Sequence, residues 1–169
     1  GAVAVYLLGS KTGGPLYAGT GGGTVLNLVI GSGRIRWSHD AVGSHDGHDH
    51  PLVLEGADSL YVVSQTWNEQ TQRNYVEALD RESGDRLWDW DAGEFLTPIG
   101  LTGGRLYLRG FNIRGSPEEL GVEVDPKGEG HVHALDVETG DVSFSLDYPR
   151  LRDAVVAHHG LYVVADDPD

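Results

Sequence analysis

The chain has 169 residues, 39% of them hydrophobic, and a net charge of −14 from 26 acidic against 12 basic side chains. That length supports an ordinary hydrophobic core, and the acidic surface excludes nucleic-acid phosphates and anionic membranes as partners. The absence of cysteine excludes disulfides, zinc–thiolate centres and thiol catalysis, and no apolar run approaches the ~18 residues of a membrane-spanning helix.

The opening GAVAVYLLG, residues 1–9, is short and lacks a basic flank. It predicts a buried strand, neither a signal peptide nor a membrane span. The chain does not begin with methionine, so a processed or truncated piece of a longer protein is expected. PLYAGT (15–20) and TVLNLVI (24–30) flank the glycine-rich GTGGGT of residues 19–24. With no helix and no Gly-Lys-Ser/Thr after it, this run predicts a hairpin turn and not a phosphate loop.

SHDGHDH, residues 44–50, brings His45, Asp46, His48, Asp49 and His50 into one connection. Imidazole and carboxylate suit zinc, copper or nickel, and connecting loops face solvent. A site there would draw a further ligand from elsewhere, with His158 and His159 as candidates; a polar, salt-tolerant loop is the plainer reading. PLVLEG, SLYVVSQT, NYVEALD and DRLWDWD, within residues 51–91, then read as four short strands separated by Gly, Asp and Asn turns. In the last of these, Asp89 and Asp91 flank Trp90 and are expected to face water. The connection 111–130 inserts roughly ten residues beyond its counterpart, and such insertions map to loops on one face of a repeat protein. It contains SPEEL (116–120), the one candidate helical turn. His131 and His133 in HVH alternate along a strand and so share a face, a candidate metal pair, although satisfied strand histidines are commoner.

One phrase is written three times: NLVIGSGRIRWSH (27–39), ALDRESGDRLWDW (78–90) and ALDVETGDVSFSL (134–146). Aligned on Ser32-Gly33, Ser83-Gly84 and Thr139-Gly140, an aromatic stands four residues after each glycine: Trp37, Trp88 and Phe144. A Leu-Tyr pair precedes each copy, at Leu16-Tyr17, Leu60-Tyr61 and Leu106-Tyr107, and recurs as Leu161-Tyr162, a period of 44 to 56 residues. Four strands per period give units of about 1–41, 42–92 and 93–148, with a partial unit over 149–169. Asp80 and Asp136 are placed to accept hydrogen bonds from backbone amides two or three residues on, and Gly84 and Gly140 to take positive φ at the end of the turn. The first copy has Val29 where the Asp should be, which predicts a less well capped turn.

The pattern Ala-Leu-Asp-x-x-Ser/Thr-Gly-x-x-x-Trp, preceded by Leu-Tyr-Val, resembles the repeat of PQQ-like β-propellers over nearly the whole chain. That superfamily includes quinoprotein alcohol dehydrogenases and BamB-type outer-membrane assembly scaffolds. The resemblance implies an all-β fold, a β-propeller of four-stranded antiparallel blades, with Trp37, Trp88 and Phe144 docked between adjacent blades. About three and a half blades are expected, fewer than the ~4 of the smallest closed ring, so the chain would be a partial ring or a piece of a seven- or eight-bladed propeller.

The first expectation for function is a non-catalytic binding or scaffold propeller, outside the cytoplasm or at the cell surface, whose partner is a protein or further blades. One alternative is a fragment of a PQQ-dependent dehydrogenase, which implies PQQ, Ca²⁺ and a catalytic Asp. No position here matches that Asp or the calcium ligands, and the cysteine pair of many such enzymes is absent, so no catalytic or cofactor-binding residue is assigned. Another alternative is a sensor or regulatory propeller of a larger protein. Lys11 and Lys127 are the only lysines and methionine is absent. This Asp-rich profile resembles proteins of extremely halophilic archaea and predicts salt adaptation, because at molar salt repulsion between surface charges is screened within about 3 Å.

Overall fold

A computed structural model describes residues 6–9, 14–42, 51–67, 72–111, 113–114, 123–124, 129–149, 151–157 and 160–165. Among these every regular element is a strand. β1 (Tyr6–Gly9), β2 (Leu16–Gly19), β3 (Thr24–Leu28) and β4 (Ile35–Asp40) form one four-stranded sheet in chain order. β5 (Leu52–Glu55), β6 (Ser59–Trp67), β7 (Gln72–Asp80) and β8 (Arg86–Asp91) form the second.

β9 (Phe95–Thr102) and β10 (Arg105–Phe111) are followed by the two-residue β11 (Ile113–Arg114) and β12 (Glu123–Val124), then by β13 (Glu129–Asp136) and β14 (Val142–Pro149). The third sheet runs β9-β10-β13-β14, and the insertion carries the β11–β12 ribbon. β15 (Leu151–Ala157) and β16 (Gly160–Ala165) pair as a hairpin. These sheets are antiparallel propeller blades. The described residues fall into two compact units, one holding the first two blades and the other the third blade and the β15–β16 hairpin.

The same device closes each blade. Pairing between the third and outer strands slips after Asn27, Ala78 and Ala134, so that Leu28 meets Ile35, Leu79 meets Arg86 and Leu135 meets Val142. Such bulges sharpen the local twist beside the turn. Beyond each bulge the two repeated markers meet. Tyr17 and Trp37 flank Asn27 across three strands, and Tyr107 and Phe144 flank Ala134 in the same way. The ring centroids are 5.9 Å apart for Tyr17–Trp37, 5.9 Å for Tyr61–Trp88 and 6.2 Å for Tyr107–Phe144. The rings approach over the residue between them, Asn27 in the first blade and Ala134 in the third, and such pairs add about 0.5–1.5 kcal/mol beyond their buried area. This explains why the Leu-Tyr pair and the later aromatic recur together.

In the first unit, Tyr17, Val25 and Trp37 of the first blade pack with Val53, Leu60, Val62 and Leu79 of the second. In the other, Val132 packs on Leu151 and Ala154, joined by Ile99, Leu161 and Val163, so the hairpin covers one face of the third blade.

Candidate functional site

The repeated phrase builds the blade junction. The Asp80 carboxylate accepts from the amides of Glu82 at 2.9 Å and Ser83 at 2.8 Å, while Gly84 has φ +79°. The Ser83 amide, and after it that of Glu82, holds the Asp80 carboxyl below its usual range. Asp136 repeats the arrangement with Glu138 at 2.9 Å and Thr139 at 3.1 Å, and Gly140 has φ +78°. The first turn keeps the backbone frame, Val29 N–H to the Arg34 carbonyl at 2.8 Å and Gly33 N–H to the Val29 carbonyl at 3.0 Å, and a long bond from the Arg34 amide to Ser32 Oγ at 3.4 Å. Valine has no oxygen to receive the inner amides, so this turn is the less capped of the three, as expected.

Trp37 of the first blade lies on the turn of the second. Its Nε1 donates to the Arg81 carbonyl at 3.0 Å, which also accepts from Asn27 Nδ2 at 3.4 Å. A Cβ added at Gly84 would stand 2.6 Å from the Trp37 ring. The Arg81 guanidinium donates to the Gly56 and Ala57 carbonyls and to the Tyr17 hydroxyl, and pairs with Glu55. Fully buried Glu77 holds His39 Nε2 at 3.1 Å and the Val42 amide at 2.8 Å, tying the end of β4 to β7. A cleft of about 290 Å³ opens here, lined by Tyr17, Asn27, Arg36, Asp58 and Arg81 among others. Four of the five Arg81 N–H groups are engaged, three within the second blade and one on Tyr17 of the first, so Arg81 serves here to hold the cleft's wall.

The chemistry-bearing cluster is in the other unit. On β13, His131 and His133 share a face, paired across β14 with Asp147 and Ser145 and across β10 with Gly110 and Leu108. Glu94 lies just before β9, two strands away in the sheet. Its carboxylate reaches the histidines over Gly110, where a Cβ would stand 2.6 Å from the Glu94 carboxyl carbon. Glu94 Oε2 lies 2.8 Å from His131 Nδ1, and Oε1 lies 2.7 Å from His133 Nε2. His133 Nδ1 is 2.7 Å from the Ser145 hydroxyl, and His131 Nε2 is 3.8 Å from Asp147. An ionised carboxylate only accepts, so each imidazole directs an N–H at Glu94, and His133 Nδ1 shares a hydrogen bond with the Ser145 hydroxyl.

The Glu94 and His133 side chains are each 11% exposed. Burial pushes the Glu94 carboxyl up, but the hydrogen bonds from His133 and His131, with their charge, outweigh it and hold the group below its ordinary value. One ligand atom from each of the three lies within 4.8 Å of the others. Two imidazoles and a carboxylate are a zinc-type donor set.

His45, Asp46, His48, Asp49 and His50 lie outside the described residues, as do His158, His159 and the SPEEL segment. The HVH pair does share a face, as the alternation predicts. The sequence did not single out Glu94, because it stands 37 and 39 residues from the histidines and carries no motif of its own. GTGGGT closes the β2–β3 hairpin through Gly23 N–H to the Thr20 carbonyl at 2.9 Å. Asp89 and Asp91 are exposed.

The chain is similar in structure to BamB from Moraxella catarrhalis, at 18% identity over 92% of this chain and 45% of that one, with a TM-score of 0.58. It is similar to the computationally designed Ika8 protein at 16% identity, over 96% and 43% of the two chains, with a TM-score of 0.60. A third likeness is to quinohemoprotein alcohol dehydrogenase ADHIIG from Pseudomonas putida HK5, at 20% identity over 87% and 22%, with a TM-score of 0.54. At these identities the likeness is one of fold, and the chain spans less than half the length of each. Among curated proteins none matches the chain. The profile of the family described as outer membrane protein assembly factor BamB matches residues 5–92, just over half of the chain and the stretch that holds the first two blades. With the blades, the capped turns of the second and third, and Trp37 docked on the second blade's turn in place, the chain belongs to that family of PQQ-like β-propeller repeats.

Proposed function

We propose that the chain is part of a non-catalytic scaffold propeller that presents its loops to a protein partner outside the cytoplasm, at the cell surface and in high salt. The observation that carries this reading is the use made of the repeat's distinctive residues. Trp37, Gly84, Asp80, Arg81 and Glu77 are all engaged in building and joining blades. What such a frame leaves for recognition is its loops, held on rigid strands. The insertion over 111–130, carrying the β11–β12 ribbon, is the loop that departs most from the repeat. Membership of a family described as an outer membrane assembly factor supports an extracytoplasmic setting and a protein partner.

The likeness to a quinohemoprotein alcohol dehydrogenase favours a second reading, a fragment of a PQQ-dependent enzyme. The donor chemistry weighs against it. Ca²⁺ takes six to eight oxygen ligands, whereas the converging group among the described residues, Glu94, His131 and His133, is mostly nitrogen.

The test uses the full-length protein at high salt. Cross-linking in native cells is expected to give a defined species containing this chain and a second protein; a chain that stays unlinked would count against a scaffold. PQQ with Ca²⁺ is expected neither to raise the melting temperature nor to support dye-linked alcohol oxidation. Ligand at a hundredfold above its Kd would stabilise by about 2.7 kcal/mol, so saturable PQQ binding would be visible and would overturn the reading.

A further inference from the structure

We propose that Glu94, His131 and His133 form a zinc site on the third blade, a role beyond scaffolding. Three features distinguish the cluster from a chance contact. Its donors are two imidazole nitrogens and one carboxylate, the set that holds zinc with a fourth position left for water or a further ligand. They are fixed by a four-stranded sheet, since the histidines alternate on β13 and Glu94 enters from the far side of β10. The approach of Glu94 also depends on an omission, because any side chain at Gly110 would fill the space its carboxylate occupies.

Chemistry and geometry agree on what metal entry requires. With Zn–ligand bonds of ~2.0–2.1 Å, tetrahedral donors stand about 3.3 Å apart. The Glu94–His131 and Glu94–His133 contacts, at 2.8 and 2.7 Å through the two carboxylate oxygens, open by about half an ångström, and the three donors, within 4.8 Å of one another, adjust to that spacing. Zinc takes the place of the N–H hydrogens now directed at Glu94: each imidazole binds through that nitrogen and keeps one proton on its other ring nitrogen, and any second ring proton leaves to solvent. His133 then ligates through Nε2, while its Nδ1–H donates to the Ser145 hydroxyl, the outer hydrogen bond that fixes a ligating histidine. His131 ligates through Nδ1, and its Nε2 faces the exposed Asp147 carboxylate. The competing account is a metal-free hydrogen-bond clasp between β13 and the entry to β9.

The experiment takes full-length protein stripped with EDTA, titrates it with Zn²⁺ by calorimetry, and records the visible absorption of Co²⁺ bound in its place. One equivalent of zinc is expected to survive simultaneous His45→Ala, His48→Ala and His50→Ala replacement. That equivalent is expected to weaken by about 100-fold or more in Glu94→Gln and His133→Ala, and by about 10- to 100-fold in Ser145→Ala. Low-coordinate Co²⁺ bands should vanish with Glu94→Gln. Glu94→Gln keeps a hydrogen-bonding group of the same size, so it carries the test if His133→Ala does not fold. Zinc affinity unchanged in Glu94→Gln, zinc binding abolished by the loop replacements, or no zinc uptake by the wild type would each overturn the site and leave the clasp.

Discussion

Gly84 and Gly33 occupy equivalent turn positions, with φ of +79° and +66°, yet their surroundings differ. A side chain at either must adopt left-handed backbone, which costs about 1–2 kcal/mol for a residue with a Cβ. At Gly33 nothing lies within 4 Å of the added atom, whereas at Gly84 it would overlap the Trp37 indole at 2.6 and 2.7 Å. Overpacking of this kind adds about 1–3 kcal/mol. Gly84→Ala is therefore expected to lower the urea midpoint clearly more than Gly33→Ala. Equal losses would mean that the indole does not rest on the turn. Gly110 follows the same logic with a different occupant, the Glu94 carboxylate in place of a ring.

β8 shows how one strand divides structural and solvent duties. Leu87 is 53% exposed while its neighbour Trp88 is 9% exposed and paired with Tyr61. Alternation along a strand puts adjacent residues on opposite faces, and here that decides which of two large apolar side chains matters. Trp88→Ala is expected to cost about 3–5 kcal/mol, since a buried aromatic leaves a large cavity. Leu87→Ala is expected to stay within about 0.5 kcal/mol. Chemical unfolding of the two variants separates them, and losses of similar size would show that the repeated aromatic does not face the packed side of its blade.

Across the whole molecule the net charge of −14 sets acidic side chains against one another. Repulsion of this size destabilises a compact state until it is screened, and the screening length falls from about 10 Å at 0.1 M salt to about 3 Å at 1 M. Exposed pairs such as Arg86–Asp89, at 3.6 Å, are lost in the same range but contribute little in any salt. The melting temperature is thus expected to rise between ~0.1 M and multimolar KCl. A flat or falling curve would remove salt adaptation from the account of this protein.

The sequence by itself determined the blade. The Asp80 cap, the positive φ of Gly84 and the aromatic four residues later act over a few residues, so their order along the chain is enough to read a strand, a turn and a returning strand. The Val29 exception was legible for the same reason. Only the tertiary structure decided what those elements meet. Trp37 finds its acceptor 44 residues away, and Glu77 finds His39 at a separation of 38. HVH announced two histidines on one face, but their partner Glu94 is brought in by sheet order and by the missing side chain of Gly110. Sheets make neighbours of residues whose spacing in the chain is set by loop length, and a glycine that matters for the space it leaves looks in sequence like any other.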